Sequence, residues 1–284
     1  MNKFLGLIVF SFSLLLIETS VALATPSTEF WTPAIMDVQP YGVWHLGIDN
    51  YFTIGGSRIT NDKGQPETGN FPTDVGLTVG VLPFEKINLE VGADLLEPMS
   101  TLICAGAVDN GSPIGTCPSV ANGMLFNFKF GIPEGALFAG SPGINYGMFN
   151  IGTVPQITNM NINDLIIGKT MPVLGRIHVG GYYGNSNSAL LHRNGDLAGD
   201  KQNSGVMVGF DRGFWSVKDK EGNEYSKFTA LADYASGQNY IGGWGVGLGI
   251  NFTKDIDILT GPVFFNDKTI NGKWKWSTQL DINF

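Results

Sequence analysis

The chain predicts an all-β fold: a single antiparallel transmembrane β-barrel of twelve strands, with ten or fourteen as the alternatives. Three observations predict it. Segments of about ten residues repeat an apolar/polar alternation along the chain. Glycine is abundant at 39 residues while charged residues make up only 15%, against roughly 25% in ordinary soluble domains. Beyond the first 24 residues no apolar stretch is long enough to be a membrane helix. Successive side chains of a strand point to opposite faces, so the alternation gives each strand one apolar and one hydrophilic side. In hydrocarbon every unpaired backbone group costs several kcal/mol, so such strands must close on themselves, and about ten tilted residues suffice to cross.

Strand 1, about 42–53, places Trp44, Leu46, Ile48 and Phe52 outward and His45, Gly47 and Asp49 inward. Strand 2, about 73–82, alternates Val75, Leu77, Val79 and Val81 with Asp74, Gly76, Thr78 and Gly80. After the turn 83–86, strand 3 opposes Ile87, Leu89, Val91, Ala93 and Leu95 to Asn88, Glu90, Gly92 and Asp94. Strand 4, about 123–132, sets Met124, Phe126, Phe128, Phe130 and Ile132 against Asn127 and Lys129. Strands 5 (about 143–152) and 6 (about 163–171) alternate poorly. Strand 7, about 175–185, carries Ile177, Val179 and Tyr183 against Arg176, His178 and Tyr182. Strand 8, about 204–213, carries Val206, Val208 and Phe210 against Gly205, Gly209 and Asp211. Strand 9, about 225–236, opposes Phe228, Ala230, Ala232 and Tyr234 to Lys227, Thr229 and Asp233. Strand 10, about 243–252, alternates Trp244, Val246, Leu248, Ile250 and Phe252 with a row of glycines and Asn251. Strand 11, about 256–266, and strand 12 close the set as a hairpin. Short connections (83–86, 171–174, 253–255) alternate with long ones (54–72, 96–122, 186–203), the asymmetry expected of such a barrel. Two turns, 133–142 and 214–223, are longer than that rule prefers.

The last strand is the clearest. Trp274, Trp276, Thr278, Leu280, Ile282 and Phe284 share one face, and Lys275, Ser277, Gln279, Asp281 and Asn283 the other. The sequence stops on a phenylalanine. This ending resembles the final strand of bacterial outer-membrane β-barrel proteins, in which a terminal aromatic is read by the barrel-assembly machinery. The resemblance makes Phe284 the expected assembly signal and lipids and lipopolysaccharide of a Gram-negative outer membrane the expected surroundings. The N-terminus agrees: a basic start at Lys3, an apolar run over 4–17 and Ala22-Leu23-Ala24 read as a secretory signal peptide, 1–24, that is cleaved. Residues 25–40 are then a short segment, periplasmic or tucked into the lumen, and 41–284 the barrel. Cys104 and Cys117, the two cysteines of an exported chain, are expected to form a disulfide within the long loop.

Function then lies in the inward face and the loops. In this register the lumen holds Asp49, Asp74, Glu90, Asp94, Asp211, Asp233 and Asp281 against Lys129, Arg176, Lys227 and Lys275, with His45 and His178. Seven acids against four bases point to a narrow passive channel for small polar solutes with mild cation preference, subject to a register that a one-residue slip would invert. Arg176, Asp211 and Lys227 fall at similar depth on consecutive strands, as do Glu90 and Lys129. Such pairs select solutes or simply brace the interior, and bracing is the preferred reading of any single pair. The glycine row of strand 10 has two readings: room for a solute, or room for a large side chain or for curvature.

The alternatives are a non-conducting barrel that anchors loops or acts as an adhesin and, further off, a lipid-acting enzyme. Some twelve-stranded outer-membrane barrels are phospholipases that use a serine and a histidine on the outer wall. Here only His192 sits in a loop, near Ser186 and Ser188, without a His-x-Ser pair, so no enzyme is expected. Asn187, Asn194, Asp196 and Asp200 offer oxygen donors in no known loop spacing, and no metal or cofactor is expected. The net charge of −8 argues against nucleic acid.

Overall fold

The computed structural model describes residues 28–54, 73–97, 108–109, 112–113 and 123–284. The expected signal peptide, Cys104 and Cys117 lie outside the described residues.

Twelve antiparallel strands form a closed barrel, each hydrogen-bonded to its neighbour in sequence, with the last returning to the first. They are β1 (Trp44–Phe52), β2 (Thr73–Gly80), β3 (Asn88–Glu97), β4 (Met124–Ile132), β5 (Gly143–Gly152) and β6 (Asn159–Met171). The second half comprises β7 (Gly175–Tyr183), β8 (Ser204–Lys218), β9 (Glu224–Ala235), β10 (Gly243–Asn251), β11 (Ile256–Phe265) and β12 (Trp274–Asn283). Closure is set by the β1–β12 register, which pairs His45 with Asn283 and Phe52 with Trp276. Between β3 and β4, Val108–Asp109 pairs with Ser112–Pro113 as a small ribbon.

The alternation becomes inside and outside as written in the sequence. In β12 Lys275, Ser277, Gln279, Asp281 and Asn283 are buried, while Trp276 and Phe284 are exposed. Exposed aromatics gather at both ends of the wall. Trp44, Phe84, Phe138, Trp215, Phe252 and Phe284 lie toward the short turns, and Tyr183, Tyr234, Trp244 and Trp276 toward the loops. Two such belts flanking an apolar band are what a bilayer's two interfaces require.

Two strands depart from the limits expected of them. β8 and β9 stay paired out to Lys218 and Glu224, so the expected long turn 214–223 shrinks to 219–223. There Asp219 Oδ1 accepts from the backbone N–H of Glu221 (2.9 Å) and Asn223 (2.8 Å). The extension leaves the apolar band, both faces meet water, and alternation no longer reports a strand. β6 begins at Asn159 because its inward face is itself apolar: Met160, Ile162 and Ile166 are fully buried while Leu165 and Ile167 face outward. Over 159–163 the alternation is inverted, with Asn159, Asn161 and Asn163 on the outer face, and only at 165–167 are both faces apolar.

Those inward residues belong to a core inside the barrel. Met160, Ile162, Ile166, Tyr182, Met207 and Ala235 pack with Ala189, Leu190 and Leu191 of the β7–β8 loop and with Tyr240, Ile241 and Ile270. Full burial of each of these leucines is worth about 1.5–3 kcal/mol, so the loop caps this part of the lumen from within. The other filling is the segment before β1. Phe30, Ala34 and Ile35 are wholly buried inside the barrel. The segment leaves the lumen past Gly80, where a Cβ would meet Pro40 O at 2.0 Å, so only glycine admits it.

Candidate functional site

A lumen-bound extended segment carries backbone donors and acceptors that neither sheet nor helix satisfies, and each must find a partner. The inward wall supplies them. Asp233 Oδ2 accepts from the N–H of Phe30 (3.2 Å), Trp31 (2.7 Å) and Thr32 (2.5 Å) and from Thr32 Oγ1 (3.1 Å). Gln279 Nε2 donates to Phe30 O at 2.7 Å, and Asn145 Nδ2 to Ile35 O at 2.7 Å. Farther along, Met36 N donates to His178 Nδ1 (3.1 Å), Gln39 N to Glu90 Oε2 (2.6 Å) and Gln39 Nε2 to Asn283 Oδ1 (2.9 Å). The glycine row of β10 serves the same segment: a Cβ on Gly245 or Gly247 would lie 2.6 Å from the Phe30 ring. The row makes room for a large side chain.

Several inward charges meet one another. Arg176 Nε reaches Asp211 Oδ1 and Oδ2 at 2.8 and 2.9 Å, and its other arm reaches Asp37 Oδ2 at 2.5 Å. His178 Nε2 lies 3.0 Å from Asp211 Oδ2. Lys129 Nζ stands 3.9 Å from Glu90 Oε1, and His45 Nε2 stands 3.4 Å from Asp281 Oδ1. Lys227 does not join the Arg176 group: its Nζ donates to Asn251 O at 2.8 Å and sits 5.8 Å from the exposed Phe252 ring, at the turn-side rim. Sequence reasoning passed over four further interior acids. Asp257 faces Asp281 across the β11–β12 register, a place that alternation along β11 would have given. Asp164 hid in β6, whose inward face is mostly apolar. Glu29 and Asp37 belong to the lumen segment, which has no periodicity to read.

Glu29, His178 and Asp211 place donor atoms within 4.8 Å of one another, an arrangement of the metal-binding kind. The proton on the imidazole decides against it. The Met36 N–H donates to Nδ1, so the ring proton resides on Nε2, the atom turned to Asp211, and no lone pair is left there for a cation. Asp211 is in addition committed to Arg176.

Beside the segment, on the β1–β5 side, a cavity of about 160 Å³ remains. Asp49, Asp74, Glu90, Asp94 and Asp164 line it against two lysines, Lys129 and Lys275, together with the rings of Trp31, Tyr51, Tyr240 and Phe265. Asp49 and Asp74 are direct cross-strand partners. Asp94 lies across Gly76, where a Cβ would meet its Oδ1 at 2.6 Å, and accepts from Asn127 Nδ2 at 2.6 Å. Three carboxyl groups on neighbouring strands with few bases nearby make this the acidic side of the lumen. The space suits a small solute and falls short of the roughly 300–1,000 Å³ of pockets for drug-sized ligands.

No family model and no curated protein matches the chain. Solved structures similar to it include the outer membrane phospholipase A from Escherichia coli, at TM-score 0.40 and 12% identity over 86% of this chain and 93% of that one. The Salmonella typhi outer membrane phospholipase dimer with bound calcium gives TM-score 0.40 and 13% identity over 86% and 91%. A mutant of the Rh. blastica porin gives TM-score 0.35 and 7% identity over 85% and 98%. No functional residue is carried over from them. In this chain both ring nitrogens of His192 face backbone carbonyls, Nδ1 that of Gly199 (3.0 Å) and Nε2 that of Ser186 (2.8 Å).

Proposed function

We propose that this protein is a Gram-negative outer-membrane barrel through which small polar solutes, cations preferred, pass by a narrow route along the acidic side of the lumen. The observation that carries this reading is the cavity beside the lumen segment, with five acids to two lysines in its lining. On the same reading residues 1–24 are removed on export, Phe284 is presented to the assembly machinery, and lipid and lipopolysaccharide surround the wall. Conductance of the refolded protein in planar bilayers under a salt gradient tests it. Small discrete steps with a cation-selective reversal potential are expected. The paired change Asp49→Asn with Asp74→Asn should move that potential toward zero by removing two acidic groups from the route. A folded protein that stays silent would overturn the channel.

A second reading, a non-conducting barrel that anchors its loops, is favoured by one specific observation. The wall binds the lumen segment through side chains on six of its strands: β3, β5, β7, β9, β11 and β12 approach it through Glu90, Asn145, Arg176 and His178, Asp233, Val263 and Gln279 in turn, the polar ones by hydrogen bonds and Val263 in one apolar cluster with Phe30 and Ile35, while the bare backbone of Gly209 on β8 lies against Ala34. Silence in the bilayer would select this reading.

A further inference from the structure

We propose that the lumen segment beginning at residue 28 is a pH-operated plug, docked while the Glu29 carboxyl carries a proton and released when that proton is lost.

Glu29 is wholly buried, and neither of its carboxyl oxygens has a hydrogen-bond partner among the described residues. It faces Arg176 and His178 from β7, Asp211 from β8, Asp233 from β9 and Asp37 from the segment itself. The single guanidinium among these is already shared by Asp37 at 2.5 Å and Asp211 at 2.8 Å. His178 Nε2 stands 3.8 Å from Glu29 Oε2 but directs its proton to Asp211 at 3.0 Å. Asp233 has its own donors in three backbone N–H groups. Arg176 Nη2 is the one arm of that guanidinium without a partner, yet it makes no hydrogen bond to Glu29, so an ionised Glu29 would be a fourth buried carboxylate around a single guanidinium, with no hydrogen-bond donor in reach among the described residues. The segment is also held by the carboxylates of Asp233 and Glu90 and by the His178 ring, and these are the same in the protein and in its Glu29→Gln variant, so the difference between the two isolates the part that Glu29 sets.

The sign follows from the cause. Burial first, then the charge of Asp211, hold the Glu29 carboxyl well above the ordinary glutamate range, with Arg176 opposing. Between the ordinary and the raised value the docked state keeps a proton that the undocked state loses. Docking is thus at full strength below the ordinary glutamate value and weakens about tenfold per pH unit as pH rises through that window. Any effect on transport rests on the channel reading above, whereas docking itself does not.

The test reads docking directly. Ala34 is wholly buried against Gly209, so in Ala34→Cys the new thiol is shielded while the segment is docked. The refolded full-length variant, with and without Glu29→Gln, is treated with a membrane-impermeant maleimide from mildly acid to mildly alkaline pH, and label on the peptide containing residue 34 is counted by mass spectrometry. We expect labelling that rises with pH when Glu29 is present and protection throughout when it is glutamine. Protection at every pH in both proteins, or the same pH response in both, overturns the plug. Bilayer conductance of the wild type and of Glu29→Gln without the added cysteine is measured in parallel. A current that grows with pH in the wild type alone supports both readings. A pH-dependent label without current supports the plug and defeats the channel, and current with a pH-independent label does the reverse.

Discussion

Asp233 illustrates how much one inward carboxylate can organise. Alternation along β9 is enough to turn it inward, but nothing in its neighbourhood of the sequence tells that it grips three consecutive N–H groups some two hundred residues earlier. Such long-range pairing is decided by where an aperiodic segment threads, which alternation does not encode. Replacing Asp233 with alanine leaves buried donors without an acceptor, each at about 1–3 kcal/mol. Asp233→Ala is therefore expected to undock the segment, seen as new protease cleavage within 28–40, while the barrel still resists unfolding by detergent. A segment as resistant as in the wild type would mean that the remaining contacts suffice. Gly247→Val probes the neighbouring strand: its side chain would collide with the Phe30 ring, and overpacking of that kind costs about 1–3 kcal/mol. The expected result is the same cleavage, and an unchanged digestion pattern would show that Phe30 can repack.

At the scale of elements, strands with one greasy and one polar face were legible across the apolar band, and of the two that alternate poorly β5 met its expected limits while β6 did not. β6 was short in prospect because the inner core takes Met160 and Ile162 inward and leaves Asn159 and Asn161 on the outer face, inverting the alternation, and the β8–β9 hairpin was short because its tip stands in water. The turn 133–142 remains long, and Glu134 ties it down: its carboxylate accepts from Lys169 Nζ at 2.7 Å and from Thr170 N at 3.0 Å. Partial burial pushes this carboxyl up, but the donors on Lys169 and Thr170 outweigh it and hold the group below its ordinary value. The tie is therefore present above the ordinary glutamate range and is lost as pH falls through the lowered value. The lumen segment lies at the other extreme. Every barrel strand pairs with two others and none with the segment, so deletion of residues 28–39 should leave a folded barrel. On the channel reading its conductance steps should be several-fold larger than those of the intact chain, because the wall side chains that now hold backbone would line open water. Steps of unchanged size would show that the route does not pass the segment.

For the whole molecule, an even strand count places both ends of the barrel at one rim, and there the seam closes: Trp44 N donates to Phe284 O at 2.8 Å, and Phe284 N to Trp44 O at 2.9 Å. The Phe284 ring is 66% exposed on the outer wall, so it adds little to the interior. Removing the residue forfeits two backbone hydrogen bonds, a net loss of about 1 kcal/mol each, small beside the continuous ladders of a closed barrel. That disproportion separates the two roles the residue can have. If Phe284 only seals the seam, its deletion should reduce refolding yield in detergent and the level of assembled barrel in cells to the same slight degree. If it is read by the assembly machinery, as its resemblance to other outer-membrane ends suggests, the refolding yield should hold while the cellular level falls many-fold. Comparing the two yields for the same variant decides between them, and equal losses would remove Phe284 from any signalling role.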